Sequence, residues 1–274
     1  MTMHLLCTLS ALFLLAMMTA AEPTTPAPTT PTLSTQFAAQ RLDFTVGPNR
    51  AFLIQPTRPA ADGTKPWIWF APTLIGHHPD KSHEWLFHAA LERGFAIAGI
   101  DVGESFGNQQ GRAAFTAFHR FVTATYGLAA KACLVPQSRG GLMLYNWAAE
   151  HPESVQCIAG IYTVCDLRSY PGLATAGPAY GFTAEDWQTQ LPNHNPIDRL
   201  APIAAAHIPI LIVHGDADRV VPLPVNSAEL ITRYRALGGP GELIIVPGKG
   251  HQVCDEFFHC QALLDFLLAQ GNPK

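Results

Sequence analysis

Short apolar segments that alternate with amphipathic segments dominate the chain from Pro66 onward. Segments that are apolar throughout form strands buried on both faces, which favours a parallel sheet with helices on either side. The sequence therefore predicts an α/β fold, in which ligands bind beyond the carboxyl ends of the strands. The predicted strands are PWIWFAP (66–72), FAIAGIDV (95–102), KACLVPQ (131–137), VQCIAGIYTV (155–164), IPILIVHG (208–215) and GELIIVPG (241–248).

The N-terminal part of the chain has a different composition. No Lys, Arg, Asp or Glu occurs before Glu22, and Leu5 to Met18 form an apolar run too short to span a bilayer. This pattern predicts a signal peptide over residues 1–21, with a short membrane anchor as the alternative. The Thr/Pro-rich residues 22–35 predict an extended linker. We therefore expect a secreted or periplasmic protein with no membrane insertion after cleavage.

The rest of the chain, residues 36–274, is long enough for one domain with a sizeable core. It should begin with two strands, near Arg41 to Val46 and Ala51 to Pro56, joined by a hairpin turn at GPNR. The formal net charge of −4 gives no reason to expect binding to nucleic acid or to an acidic membrane surface.

A long segment without strong strand or helix patterns, about 162–207, interrupts the alternation. Connecting loops of this length are uncommon in compact domains, so we expect a small cap above the strand ends. Its aromatic residues are Tyr170, Tyr180, Phe182 and Trp187. They are candidates to line a substrate site, and the alternative is that they only pack the cap onto the domain.

Three predicted strand ends carry residues of complementary chemistry. Ser138 follows one strand and precedes a helix, Asp216 and Asp218 follow another, and His251 follows the last. A serine hydroxyl becomes a useful nucleophile when a base takes its proton and an acid orients that base. Taken alone, the serine is a good helix N-cap and each aspartate a good turn former. The combination predicts a serine hydrolase.

At these motifs the chain resembles the α/β-hydrolase superfamily, over about residues 36–272. PQSRGG is similar to its nucleophile elbow, HGDADRVVP to its H-G-x-x-D-x-x-V-P acid loop, and GKGH to its histidine turn. The resemblance implies that Asp218, rather than Asp216, is the catalytic acid. The most similar branch contains secreted or periplasmic esterases and the catalytic domains of prolyl-oligopeptidase-type peptidases.

Two features depart from that pattern. Pro136 stands where the elbow usually has glycine, which is tolerable at the end of a strand. The usual H-G oxyanion loop is absent, so we expect the amide of Arg139 and that of Thr73 or Leu74 to stabilise an oxyanion. The Arg139 side chain could bind a substrate carboxylate, or it could form an ion pair with a loop carboxylate such as Glu104.

Five cysteines follow the predicted signal peptide, namely Cys133, Cys157, Cys165, Cys254 and Cys260. The odd number predicts at least one free thiol or an intermolecular disulfide, and we expect any disulfide within the chain to join Cys165 and Cys254. The segment HHPDKSH (77–83) is rich in histidine, but a serine triad needs neither metal nor cofactor, and we expect none.

The sequence thus predicts a secreted serine hydrolase that cleaves carboxylic esters through an acyl-enzyme, acting on a small-molecule or oligosaccharide ester. Acylated carbohydrate is a substrate class suggested by analogy alone. One alternative is a prolyl-oligopeptidase-type serine peptidase, although such enzymes usually carry a large N-terminal propeller. The other is a non-catalytic binding protein on the same fold.

Overall fold

A computed structural model describes residues 30–74 and 76–271 of the chain. These residues form one sheet of nine strands in the spatial order β1-β2-β3-β5-β4-β6-β7-β8-β9. The strands are β1 (Thr32–Gln36), β2 (Ala39–Val46), β3 (Asn49–Ile54), β4 (Trp67–Ala71), β5 (Ala96–Ile100), β6 (Ala132–Pro136), β7 (Val155–Ile161), β8 (Ile210–Gly215) and β9 (Gly241–Val246).

The sheet has an antiparallel end and a parallel remainder. Strands β1, β2, β3 and β5 pair antiparallel, whereas β5, β4, β6, β7, β8 and β9 pair parallel. The α-helices are α1 (Glu84–Leu91), α2 (Gln109–Tyr126), α3 (Gly140–Glu150), α4 (Leu173–Tyr180), α5 (Asp186–Gln190), α6 (Ala201–Ala205), α7 (Ser227–Ala236), α8 (Asp255–Phe258) and α9 (Gln261–Gly271). In the part of the chain that the structure describes, no helix is both long enough and apolar enough to cross a bilayer.

Alternation along the strands divides the core into two layers. In β4, Trp67 and Trp69 pack in one layer with residues of α2, α3 and α7. Ile68 and Phe70 point to the other layer, with residues of α1 and α9. Because successive side chains of a strand point to opposite faces, an uninterrupted apolar strand requires helices on both sides. The predicted mostly parallel α/β-hydrolase sheet is thereby confirmed.

Two predicted boundaries, the end of the linker and the extent of the last helix, differ from the structure. Residues 32–35, assigned to the linker, instead belong to β1, because Thr32–Gln36 pair with residues 39–43 of β2. The last helix, expected without interruption from about Cys254 to Gln270, is broken into α8 and α9 around His259 and Cys260. The predicted signal peptide and residues 22–29 of the predicted linker lie outside the described residues.

The segment between β7 and β8 holds three short α-helices, α4 to α6, and two 3-10 turns, Leu191–Asn193 and Pro196–Asp198. Its apolar side chains form a separate cluster with Phe106, Leu142 and Val221 of the main domain. This segment corresponds to the predicted cap, and it lies on the same side of the molecule as the carboxyl end of β6, where Leu142 follows the elbow.

Candidate active site

Ser138 occupies a sharp turn between β6 and α3. Its backbone has a φ of +49°, in the left-handed region that a residue with a side chain rarely adopts. Three hydrogen bonds hold it there, because its amide donates to the Ile161 carbonyl at 3.0 Å and its own carbonyl accepts from the amides of Gly141 and Val164 at 3.0 and 2.8 Å. The turn therefore fixes the Ser138 hydroxyl in one direction.

The two glycines after Arg139 allow α3 to approach the sheet closely. A Cβ on Gly140 would collide with the carbonyl of Ala71, and one on Gly141 with the carbonyl of Val164. Pro136 is the last residue of β6, and pairing resumes directly after it, because the Gln137 amide donates to the Ala71 carbonyl at 2.8 Å. The variant elbow is therefore compatible with the strand, as the sequence suggested.

His251 lies opposite the serine. It follows β9, and its Nε2 is 2.8 Å from Ser138 Oγ. The imidazole packs on the ring of Tyr162, with the two centroids 4.4 Å apart. The hydroxyl thus has a proton acceptor within hydrogen-bond distance, on a ring whose orientation is fixed by packing.

Asp218 completes the line. Its Oδ2 accepts from His251 Nδ1 at 2.7 Å, and its Oδ1 accepts from the amides of Val220 and Val221 at 2.9 and 2.8 Å. Burial alone would raise the pKa of this carboxyl, but hydrogen bonds from His214, His251 and Val221 outweigh burial and hold the pKa well below its usual range. A carboxylate so placed fixes the tautomer and the orientation of the imidazole.

The competing carboxylate, Asp216, has a different task. It is exposed, and its Oδ1 accepts from the amide of Gly248 at 2.7 Å. The amide of Ala217 donates to the Lys249 carbonyl at 3.0 Å. These two bonds tie the loop after β8 to the loop that carries His251, so Asp216 is a turn residue and Asp218 is the one that contacts the histidine.

Sequence reasoning gave His214 no role, yet it contacts Asp218. Its side chain is fully buried at the end of β8, with Nδ1 2.7 Å from Ser227 Oγ and Nε2 2.9 Å from the Val221 carbonyl. Because a carbonyl can only accept, Nε2 carries the proton, and it also lies 3.3 Å from Asp218 Oδ2. The available signal was its place in HGDADRVVP, four residues before Asp218.

A second unpredicted group lies beneath the serine. Gln137 donates to the hydroxyl of Tyr162 at 3.0 Å and contacts Nε2 of His83 at 2.7 Å. His83 in turn belongs to the one group of described residues that brings metal-type donors together, His78, Asp80 and His83. Nothing in the local sequence pattern links residue 83 to residue 137, so only the fold reveals this contact.

The predicted oxyanion donors lie around the elbow. Arg139 is the N-cap of α3, and no acceptor for its amide occurs among residues 30–74 and 76–271. Leu74 forms an isolated bridge with His78, and its carbonyl accepts from the amides of His77 and His78 at 2.7 Å each. Thr73 is buried, and its hydroxyl donates to the Phe70 carbonyl at 3.1 Å. None of these contacts uses the backbone amide of Thr73 or of Leu74, so both amides stay candidates for the second oxyanion donor.

The Arg139 side chain forms the ion pair that was its structural alternative. Its Nη2 is 2.7 Å from Glu104 Oε1, with both side chains partly exposed. Its Nε is buried and finds no acceptor among the described side chains and carbonyls. Binding of a substrate carboxylate by Arg139 would therefore have to compete with Glu104.

The predicted substrate aromatics of the cap contact mainly one another. Tyr180 packs against Phe182 and Trp187 at centroid distances of 5.6 and 5.1 Å, and its hydroxyl donates to the Phe106 carbonyl at 2.8 Å. Trp187 is buried and donates to the Leu173 carbonyl at 3.0 Å. Tyr170 is half-buried against the same cluster. These contacts pack the cap onto the domain, which was the alternative role for these rings. Substrate binding by them stays a prediction.

The expected disulfide is wrong. All five cysteines are free thiols, and Cys165 packs in the layer with Trp69 whereas Cys254 packs against the other layer. The sheet separates the two, so the two loops do not converge as the sequence suggested. The Cys165 sulfur instead lies 3.4 Å from the Thr163 hydroxyl, and burial raises the pKa of its thiol to about 12.

Comparisons with known proteins identify a family for this chain. The sequence model of the prolyl oligopeptidase family matches residues 107–270, which include Ser138, Asp218 and His251. A comparison with curated proteins gives no match.

Three solved structures share the fold at low sequence identity. A protein described as a dipeptidyl aminopeptidase IV from Bacteroides ovatus is 14% identical, with a TM-score of 0.66 over 88% of this chain. This chain spans 36% of that protein's length. An S-formylglutathione hydrolase from Agrobacterium tumefaciens is 12% identical, with a TM-score of 0.70 over 89% of this chain and 100% of its own. The esterase domain of a Rhodothermus marinus protein is 21% identical, with a TM-score of 0.60 over 85% and 98%.

The close approach at the elbow predicts the effect of one methyl group. We expect Gly140→Ala to lower the free energy of unfolding by about 1 to 3 kcal/mol, because the added Cβ must push α3 away from β4. Urea denaturation measures the change. Gly250→Ala is the matched control, since the nearest atom to its added Cβ would be the Ala217 carbonyl oxygen at 3.6 Å. Equal stability of the two variants would contradict the packing argument.

The low pKa of Asp218 predicts a pH-dependent contribution to stability. A carboxyl whose folded pKa is depressed contributes stability above its unfolded pKa, about 3.9, and loses it as pH falls further. We expect Asp218→Asn to be less stable than the wild type by about 1 to 3 kcal/mol near pH 7. The difference should shrink below about pH 4, as followed by urea denaturation at several pH values. A difference that does not change with pH would contradict the assignment.

Proposed function

The chain belongs to the prolyl oligopeptidase family, and from that premise we propose that it is a serine hydrolase that cleaves carboxylic esters with Ser138, His251 and Asp218. The observation that carries the proposal is the continuous line of hydrogen bonds from Ser138 Oγ through His251 to Asp218, at 2.8 and 2.7 Å. The Ser138 hydroxyl donates to His251 Nε2, and His251 Nδ1 donates to Asp218. Each of the three residues follows a different strand.

In the first half of the reaction, Ser138 Oγ bonds to the ester carbonyl carbon while its proton passes to His251 Nε2. The carbonyl π electrons move to oxygen, and the amides of Arg139 and of Thr73 or Leu74 stabilise that oxyanion. As the carbonyl re-forms, the bond to the alcohol oxygen breaks and His251 returns the proton to the leaving alcohol. Asp218 stays ionised throughout and stabilises the imidazolium.

In the second half, water takes the place of the alcohol. His251 Nε2 removes a proton from a water molecule as the water oxygen bonds to the acyl carbon, and the same two amides stabilise the new oxyanion. Collapse expels Ser138 Oγ, which recovers its proton from His251. The products are a carboxylic acid and the free enzyme.

Two observations bear on the choice between ester and peptide. The whole length of an esterase domain and of an S-formylglutathione hydrolase superposes on this chain, which favours hydrolysis of bonds with good leaving groups. The family match and the likeness to part of a dipeptidyl aminopeptidase IV favour a peptidase as the second candidate. We propose esters as the substrates, and acylated carbohydrate outside the cytoplasm as the class of ester. The charged pair of Arg139 and Glu104 lies near the nucleophile.

Covalent labelling tests the nucleophile. We expect a fluorophosphonate probe to label the wild-type protein once, because only an activated serine reacts at useful rates. Ser138→Ala should lose the label and lower kcat by about 10⁵-fold or more. Intact-protein and peptide mass spectrometry locate the adduct. A folded wild-type protein that is not labelled would overturn the hydrolase proposal.

The two aspartates give a matched pair of variants for the acid. Asp218→Asn should lower kcat on an activated ester by about 10⁴-fold, because the amide no longer holds the imidazole in the reactive tautomer. Asp216→Asn keeps an acceptor for the Gly248 amide and should change kcat by only about a few fold. Steady-state kinetics measures both, and a larger loss at residue 216 would reverse the assignment.

Substrate class is tested with paired chromogenic compounds. We expect hydrolysis of short-chain p-nitrophenyl esters and slow or undetectable hydrolysis of dipeptide p-nitroanilides at the same enzyme concentration. The Ser138→Ala protein corrects for background hydrolysis. Comparable kcat/KM values for anilides and esters would favour the peptidase, and a panel of acylated oligosaccharides then tests the carbohydrate proposal.

A further inference from the structure

The loop after β4 gathers three side chains that have no part in the proposed reaction. His78, Asp80 and His83 lie between the end of β4 and the start of α1, and one donor atom of each lies within 4.8 Å of the others. Asp80 Oδ2 is 3.3 Å from His78 Nδ1, and Asp80 Oδ1 is 3.1 Å from His83 Nδ1. We call these three residues the 78/80/83 cluster.

The tautomer of His83 leaves a lone pair directed into this cluster. Gln137 Nε2 donates to the hydroxyl of Tyr162, so the amide oxygen faces His83 Nε2 at 2.7 Å and accepts its proton. In this tautomer His83 Nδ1 carries a lone pair, and it lies 3.1 Å from Asp80 Oδ1. The Asp80 amide donates to this nitrogen at 3.2 Å and the Ser82 hydroxyl lies 3.2 Å from it, so a metal ion here would replace these contacts.

This arrangement is the one that metal-binding histidines adopt. Such a histidine commonly donates its second ring N–H to a carbonyl or carboxylate, which orients the ring and makes the ligating nitrogen more basic. The side chain of Gln137 supplies that acceptor, and His83 is almost fully buried, so its ring is already fixed.

A second, independent observation comes from His78. Its Nδ1 is buried and, apart from Asp80 Oδ2 at 3.3 Å, has no hydrogen-bond partner among the described residues, although the rest of the ring is partly exposed. Buried polar atoms normally have partners, and an ion held by this cluster would supply one. The third donor, Asp80, is held in place by its cap to the Ser82 amide at 2.8 Å.

We propose that His78, Asp80 and His83 bind a zinc ion through two Nδ1 atoms and one carboxylate oxygen. Zinc favours imidazole and carboxylate donors at about 2.0 to 2.2 Å in a tetrahedron, for which neighbouring donors lie on the order of 3.3 Å apart. The Asp80 carboxylate approaches this spacing with one oxygen to each ring, since Oδ2 is 3.3 Å from His78 Nδ1 and Oδ1 is 3.1 Å from His83 Nδ1. Two neutral imidazoles and one carboxylate leave the fourth position to water.

The bound ion would connect the site to the elbow without touching the substrate. It would fix the loop that carries Thr73 and Leu74 to the start of α1, and through His83 it contacts Gln137, the residue before Ser138. Zinc binding therefore stiffens the loop that we propose to supply an oxyanion donor. The proposal does not depend on the hydrolase reaction, because binding is measured in its absence.

The test uses protein without a histidine tag, freed of metal with a chelator and titrated with Zn²⁺ against a chromophoric chelator. We expect one zinc per chain, with binding weakened at least about tenfold by His78→Ala or Asp80→Asn, since loss of even an outer-shell partner costs this much. His77→Ala is the matched control, because the neighbouring exposed histidine is not in the cluster. Circular dichroism of the metal-free variants verifies that each is folded.

One further variant and a second metal ion separate this site from the triad. His251→Ala should leave zinc binding unchanged, and Co²⁺ should give the intense visible absorption of four-coordinate cobalt, which His78→Ala abolishes. Absence of binding by the wild type, equal loss in His77→Ala, or binding that survives His78→Ala and disappears in His251→Ala would each overturn the proposal.

Discussion

The close approach of α3 to the ends of β4 and β7 is the constraint on which the site depends. Gly140 and Gly141 bring the helix against the carbonyls of Ala71 and Val164, where any Cβ would collide. That contact, with three backbone hydrogen bonds, holds Ser138 at a positive φ. A strained residue of this kind costs about 1 to 3 kcal/mol and persists only where its surroundings enforce it. Here the surroundings are the centre of the sheet.

Much of the architecture follows from the sequence because its causes are local. A strand such as WIWFA is apolar on both faces, and this requires two covering layers wherever it occurs in the fold. The placement of Ser138, Asp218 and His251 after β6, β8 and β9 is local in the same sense, since each residue lies in the loop that follows a recognisable strand. For these features, position along the chain is sufficient to predict position in space.

Contacts between distant segments were beyond such reasoning. His214 reaches Asp218 because the loop turns back on its own strand, and His83 reaches Gln137 across the end of the sheet. The expected disulfide failed for the same reason, because adjacency of two loops was inferred without knowing which face of the sheet each thiol occupies. The first strand was assigned to the linker because a Thr-rich edge strand, exposed to solvent, has no apolar signal.

Two hydrogen bonds join the loop after β8 to the loop after β9, and they determine which parts of the site can move independently. Asp216 and Ala217 tie the acid loop to Gly248 and Lys249, so acid and base move together. Ser138 follows β6, and β7 lies between β6 and the two strands that precede this pair. A change in the twist of the sheet at β7 would therefore lengthen or shorten the gap between serine and histidine while the distance from histidine to aspartate stays constant. The nucleophile on one side and the acid and base on the other can therefore shift relative to each other, with β7 as the strand between them.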